Sequence, residues 1–328
     1  MKNIAVVGGG YWGRNLVRNF YELGALHTIC DSSQDTLNQL KALYPDVNLQ
    51  IEFSSLLKHE EIDGIAIASP AVLHYSMAKQ VLLAGKDAFV EKPLALDISE
   101  GEELVDLAEK MSKVLLVGHI LEYHPAVVKL KQLVDDGELG TIQYIYSNRL
   151  NLGKFRTEEN ILWSFAPHDI SVILLLLAGQ MPDRISAHGG YYLHKDIADV
   201  TMTTMSFASG TRAHIFVSWL HPYKEQRLVI VGSEKMAVFN DTEPKDKLLI
   251  YDHSIEWVDS IPVPNRSDAR VIDIQIDQPL KIECQDFIDC IKERKKPKVD
   301  GAKGLQVLKI LSYCQSSLER DGEVISVE

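Results

Sequence analysis

A chain of 328 residues, 46% of them hydrophobic, can bury a core large enough for two domains, which excludes a disordered protein. Its net charge of −12 argues against nucleic acid or an anionic membrane as a general partner, so an anionic small molecule would need a locally basic pocket. The four cysteines, Cys30, Cys284, Cys290 and Cys314, form no Cys-x-x-Cys pair and fall in stretches that read as strand or helix, which fits reduced thiols in a cytoplasmic compartment. The amino terminus enters a strand almost at once, leaving no room for a signal peptide. The most apolar run, Ile170 to Ala178, is too short to span a bilayer and reads as a buried helix.

The first strand, Ile4 to Val7, runs into Gly8-Gly9-Gly10-Tyr11-Trp12-Gly13, a Gly-x-Gly-x-x-Gly turn. In a dinucleotide-binding unit Gly8 permits the tight turn, Gly10 lets backbone approach a pyrophosphate, and Gly13 lets the next helix close on the sheet. A helix over about Trp12 to Leu23 and a strand over Leu26 to Cys30 follow, and the strand ends at Asp31, 18 residues after Gly13. That spacing suits an acid that accepts hydrogen bonds from the adenosine ribose. A 2′-phosphate would meet like charge there, and Ser32-Ser33-Gln34 offers no arginine, so NAD is favoured over NADP.

Helix and strand then keep alternating: helix Gln34 to Leu43, strand Gln50 to Phe53, strand Gly64 to Ser69, helix Val72 to Ala84, strand Asp87 to Glu91, helix Ser99 to Met111 and strand Val114 to Gly118. This predicts an α/β domain over residues 1–118 with a doubly wound parallel sheet. Lys92 closes the fifth of these strands, at the carboxyl edge where open α/β sheets bind ligands, and Pro93 biases its backbone towards an extended form. Lys92 is either a solvated surface lysine or a group that steadies a developing alkoxide.

Residues 119–328 change rhythm. A helix over Pro125 to Asp135, a strand over Ile142 to Leu150 and a helix starting near Pro167 precede several consecutive strands between Asp183 and Asp252. Strands without intervening helices predict an α+β domain with a mostly antiparallel open sheet, closed by helices near Ile282 to Lys292 and Leu305 to Leu318. Arg149, Lys154 and Arg156 form a local basic cluster that is either a solvated loop or a diphosphate contact. If the strand continues to Leu152, Arg149 and Asn151 share one face, opposite Leu150 and Leu152. Pro167 suits a first helical turn, which would put His168 where the helix dipole disfavours imidazolium. The histidines define no metal site: His188 with His194 and His214 with His221 lack a carboxylate at ligand spacing, and His59-Glu60-Glu61 lacks the second histidine of a zinc helix.

The glycine turn, Ser69-Pro70 with His74, and Gly85-Lys86-x-x-x-Val90-Glu91-Lys92-Pro93-Leu94 together resemble the glucose-fructose oxidoreductase, inositol dehydrogenase and MocA family over essentially the whole chain. The resemblance implies hydride transfer between NAD(P) and a sugar or polyol carbon, with oligomers formed through the open sheet. It implies cofactor contacts at Gly8, Gly10, Tyr11, Trp12, Gly13, Asp31, Ser69, Pro70, His74, Glu91 and Lys92, and a catalytic pair Lys92 and His168. An aspartate common in the family four residues before the histidine is Ser164 here, and serine cannot hold a negative charge. Gly10-Tyr11-Trp12-Gly13-x-Asn15-Leu16-Val17-Arg18-Asn19-Phe20, Gly118-His119 with Tyr123, Arg149-Leu150-Asn151-Leu152-Gly153, and Trp163 with Ala166-Pro167-His168-Asp169 are similar to the subgroup acting on UDP-N-acetylglucosamine or its glucuronate. This implies substrate contacts at Tyr123, Arg149, Asn151, Trp163 and Asp169, oxidation of the C3 hydroxyl, and an aminotransferase partner in making cell-envelope glycans. A dehydrogenase of free sugars or polyols such as inositol, and a non-catalytic NAD-binding sensor on the same fold, are the competing readings.

Overall fold

A computed structural model of the protein describes residues 3–153, 155–275 and 277–327. Strands β1 (Ile4–Val7), β2 (Leu26–Cys30), β3 (Asn48–Gln50), β4 (Gly64–Ile67), β5 (Asp87–Glu91) and β6 (Leu115–Gly118) alternate with helices α1 (Gly13–Glu22), α2 (Gln34–Leu43), α3 (Phe53–Leu57), α4 (His74–Leu83) and α5 (Ile98–Lys110). All pairings are parallel, in the order β3-β2-β1-β4-β5-β6. The order reverses between β1 and β4, which places a ligand crevice outside the carboxyl ends of the strands. Except for β3, the strands are buried along their whole length, so they read as continuous apolar runs. Their side chains still alternate: Ile4, Val6, Ala66, Phe89 and Leu116 enter one core cluster, while Ala5, Val7, Ile65, Val90 and Val117 enter the other. The third strand ends at Gln50, earlier than its sequence suggests, because Phe53 opens α3.

Helix α6 (Pro125–Asp135), strand β7 (Ile142–Leu150), helix α7 (Ile161–Leu176) and strands β8 (Arg184–Gly190), β9 (Val200–Ser206), β10 (Arg212–Ser218), β11 (Glu225–Gly232), β12 (Met236–Asn240) and β13 (Leu248–Tyr251) follow. Next come an exposed hairpin, β14 (Ser254–Val258) and β15 (Ile261–Asn265), and the short β16 (Arg270–Val271). With the carboxyl-terminal strand β17 (Ile325–Ser326) at one edge, the large sheet has the order β16-β13-β12-β11-β7-β10-β9-β8-β17 and is antiparallel except where β7 pairs with β10, as the succession of strands without helices predicts. In β9, Thr201, Thr203 and Met205 are buried while Met202 and Thr204 are exposed, the period of a sheet covered on one face.

The chain closes with α8 (Pro279–Glu293), α9 (Gly301–Glu319) and β17 (Ile325–Ser326). Leu280, Cys284, Phe287 and Ile291 of α8 join the first of the two core clusters, where Phe287 meets Phe20 and Phe89 edge to face at 6.4 and 5.7 Å. Two compact units result, one of Met1–Tyr123 with Gln278–Lys309 and one of His124–Asp277 with Ile310–Glu328. The division is thus discontinuous, unlike the single cut after residue 118 expected from the sequence, because a helix far along the chain covers one face of the first sheet. Among the described residues no helix is long and apolar enough to cross a membrane.

Candidate active site

Three glycines shape the carboxyl edge of the first sheet. Gly8 has φ +94°, and a Cβ there would lie 2.6 Å from the carbonyl oxygen of Ala68. A Cβ on Gly13 would lie 1.8 Å from the Gly8 carbonyl oxygen, whereas one on Gly10 would meet nothing within 4 Å. Gly13 therefore serves the contact of α1 with the loop, and Gly10 leaves bare backbone that a pyrophosphate can approach. Trp12 precedes α1 without a side-chain cap, and the helix dipole at that end favours an anion. The Asp31 carboxylate accepts from Gly9 N at 2.6 Å and Ser33 N at 2.8 Å, so the acid stands beside the glycine turn. Open cradle, helix end and acid together fit a dinucleotide. A Gly13→Ala substitution is expected to weaken NAD binding at least about tenfold and to lower Tm, because its methyl meets backbone rather than a movable side chain; fluorescence titration and a thermal melt measure both.

Tyr11 is exposed at the turn, while the Trp12 indole donates to Glu91 Oε1 at 2.5 Å and ties the turn to the end of β5. Buried His74 places Nδ1 2.7 Å from the Pro93 carbonyl oxygen and Nε2 3.0 Å from that of Ser69, strapping the ends of β4 and β5 together. His74 is thus buried, while Ser69 is half-buried and Pro70 exposed. The Lys92–Pro93 peptide is cis.

Behind Lys92 the same unit buries several ionisable groups, of which Glu122 and Glu283 belong to no sequence motif. Glu91, Glu122 and His119 are 7%, 3% and 1% exposed, and Glu283 of α8 is fully buried. Burial pushes the Glu91 carboxyl up to about 7 against the Trp12 hydrogen bond and the Lys92 charge. Burial, then the neighbouring Glu91, Glu122 and Asp286, push Glu283 well above the ordinary carboxylate range. Burial and Lys92 push His119 down to about 3, so its imidazole is neutral at neutral pH. Tyr123 belongs to this interior: it is buried, and its hydroxyl donates to Asp286 Oδ2 at 2.8 Å. The expected substrate contact at Tyr123 is replaced by a structural hydrogen bond.

Because Glu283 titrates higher in the folded protein than when unfolded, its contribution to stability is complete below the unfolded value near 4.5 and is lost as pH rises towards the folded value. Glu283→Gln keeps the shape and removes the charge. Its Tm is therefore expected to match the wild type near pH 4.5 and to exceed it increasingly as pH rises, which calorimetry across pH would measure.

In the second unit, α7 begins at Ile161, with the Asn160 side chain accepting from Trp163 N at 3.2 Å. Pro167 lies inside this helix rather than in its first turn. His168 is thus about two turns from the amino end, and the expected dipole effect, confined to the first turn, does not act on it. The readable start signal is Asn160, an N-cap residue that Pro167 masks as a boundary marker. Ser164 and His168, four residues apart, share one face of α7.

Arg149 and Asp169, both expected to meet substrate, bind each other. Nε and Nη2 of Arg149 donate to Asp169 Oδ2 and Oδ1 at 2.9 and 3.2 Å, and Ser147 Oγ donates to Asp169 Oδ1 at 2.7 Å. With its amide oriented to suit its neighbours, Gln226 accepts from Arg149 Nη1 at 3.1 Å. The fork is committed between β7 and α7, so Arg149 is neither the solvated loop residue nor the diphosphate contact that the sequence left open. Trp163 donates its indole N–H to Gln315 Oε1 at 3.0 Å. Asn151 follows the end of β7, its backbone N–H bonded to Ser218 O at 3.0 Å, so the strand alternation does not reach Leu152. Arg156 pairs with Glu159 at 3.1 Å, and Lys154 lies outside the described residues. The three-base cluster is therefore not assembled from the two arginines.

A Rossmann sheet with a glycine turn and an acid at the end of its second strand, followed by an α+β unit with an open mixed sheet, defines an NAD-binding oxidoreductase fold. The chain belongs to the Gfo/Idh/MocA oxidoreductase family: residues 2–119 match its NAD-binding Rossmann domain and residues 127–238 its C-terminal domain. It is 27% identical to the UDP-N-acetylglucosamine 3-dehydrogenase of Acidithiobacillus ferrooxidans over 92% of this chain and 93% of that one. A solved structure of that enzyme superposes with a TM-score of 0.86 at 25% identity, covering 97% of each chain. Levoglucosan dehydrogenase, solved with NADH and levoglucosan, shares the fold with a TM-score of 0.86 at 20% identity over 99% of both chains.

Proposed function

We propose that the protein is an NAD-dependent dehydrogenase that oxidises the C3 hydroxyl of UDP-N-acetylglucosamine or its uronate to the 3-keto nucleotide sugar. The observation that carries this reading is the near full-length correspondence with a UDP-N-acetylglucosamine 3-dehydrogenase, joined to an intact glycine cradle and Asp31. Bound NAD supplies the hydride acceptor. His168 takes the hydroxyl proton, and the Lys92 ammonium holds the oxygen as charge develops. Ser164, which cannot carry a negative charge, leaves these two groups as the acid–base set. We place the enzyme in the cytoplasm as a homo-oligomer, its keto product passing to an aminotransferase that feeds cell-envelope glycans.

The choice of NAD over NADP rests on Asp31 and on the absence of arginine at residues 32–34. Asp31→Ser is expected to weaken NAD roughly tenfold and to narrow or reverse the preference over NADP, read from titrations with both cofactors. Unchanged affinity for each would remove Asp31 from the ribose site.

A second reading, a dehydrogenase of free sugars or polyols, is favoured by one observation: Arg149 is spent on Asp169 and gives a diphosphate no fork. The two readings separate when protein and NAD are mixed with UDP-N-acetylglucosamine, UDP-N-acetylglucosaminuronate or inositol and nicotinamide absorbance is followed at cofactor-like enzyme concentration. Reduction with a UDP-sugar alone supports the nucleotide-sugar dehydrogenase. Reduction with inositol alone supports the polyol enzyme, and silence despite NAD binding favours a sensor.

A further inference from the structure

We propose that His27, His59 and Glu61 form a binding site for a divalent ion of the zinc class, at the edge of the first sheet opposite the glycine cradle. His27 is the second residue of β2, whose other end leads to Asp31. His59 and Glu61 sit in the loop between α3 and β4. The Glu61 carboxylate oxygen Oε2 lies 3.3 Å from His27 Nε2, and one donor atom from each of the three residues lies within 4.8 Å of the other two. Zinc bonds of about 2.0–2.2 Å in a tetrahedron put donors roughly 3.3 Å apart. His27 and Glu61 already have that separation, and the exposed His59 ring closes the remainder by turning about its side-chain bonds. Two imidazoles and a carboxylate with a fourth position open to solvent are a donor set that zinc accepts.

Two features show support beneath the donors. His27 Nδ1 lies 2.7 Å from Thr28 Oγ1, which orients the ring and directs Nε2 at Glu61, the kind of outer contact that fixes a metal-binding imidazole. The loop is anchored from inside by Lys86, whose buried ammonium donates to the carbonyl oxygens of His59 at 2.7 Å and Ile62 at 2.6 Å. Its backbone is closed by Ile62 N donating to His59 O at 3.2 Å, and the Ile62 side chain is buried. The donors thus stand on a braced loop, and the His59 ring meets His27 at 4.8 Å between centroids. An ion here would join the start of β2 to the loop that feeds β4, away from the dinucleotide edge.

The test uses tag-free full-length protein, treated with a chelator and titrated with zinc by calorimetry, then with cobalt for its visible spectrum. One equivalent of zinc with a micromolar or tighter Kd, a tetrahedral cobalt spectrum and a rise in Tm with zinc are expected. His59→Ala and Glu61→Gln, both at exposed positions, should each weaken binding at least about tenfold while melting like the wild type in chelator. NAD binding in chelator should be unchanged in both variants. Absence of a one-equivalent isotherm, or equal zinc affinity in the wild type and both variants, would overturn the site.

Discussion

Replacing Lys92 with methionine is expected to lower turnover by about two or more orders of magnitude, the scale on which a positioned acid–base group acts, with NAD affinity much less affected. The lysine follows β5, which neighbours β4 at the reversal in strand order, so it leaves the sheet at its ligand-binding edge. Methionine keeps most of the side-chain volume and removes the charge that Glu91 and His119 both feel. Without that charge the Glu91 carboxyl holds its proton to higher pH and the His119 imidazole becomes easier to protonate, so the pH profile of any residual activity should also move. A fall confined to kcat and kcat/KM, seen as slow reduction of nicotinamide in a single turnover, assigns the amine to the chemical step. A rise in KM with kcat unchanged would make Lys92 a binding residue, and wild-type kinetics would remove it from the site.

What the sequence makes legible is what neighbouring residues decide. The turn from Gly8 to Gly13, the buried strands of the first sheet and the acid at Asp31 each follow from short-range pattern, since the φ of Gly8 and the methyl-free contact at Gly13 are demands of one loop. The period-two burial of β9 is equally local. Long-range partners are invisible in that way. Nothing around Ile282 announces that α8 supplies Phe287 to a core begun by Phe20, or that Glu283 will be buried beside Glu91 and Glu122. His59-Glu60-Glu61 looks incomplete along the chain because the imidazole that meets it comes from β2. Pro167 misleads for a related reason: proline is common in a first helical turn, yet Asn160 already caps this helix and packing holds the proline inside it. Arg149 and Asp169 read as ligand-facing because charged residues in a site motif invite it, whereas β7 and α7 bring them to each other.

That last pair gives the second large effect. Asp169→Asn leaves the Arg149 guanidinium buried without its counter-charge, and breaking a buried ion pair from one side costs about 3–5 kcal/mol. At the scaling for domains of this size, Tm should fall by roughly 10 °C. The asparagine fills the same volume and its amide oxygen can still accept from Ser147 and Arg149, so the loss comes chiefly from the uncompensated charge rather than from a cavity. Arg149→Met in the same chain removes the stranded cation, and the double variant should recover much of the lost stability. The cycle distinguishes two roles. A large coupling in Tm, with KM for the sugar changed only as far as folding is impaired, makes the pair a strut between β7 and α7. A wild-type Tm in Asp169→Asn together with a raised KM would return Arg149 and Asp169 to the substrate, and the diphosphate contact with them. The position of the pair, buried and hydrogen-bonded at both carboxylate oxygens, predicts the strut.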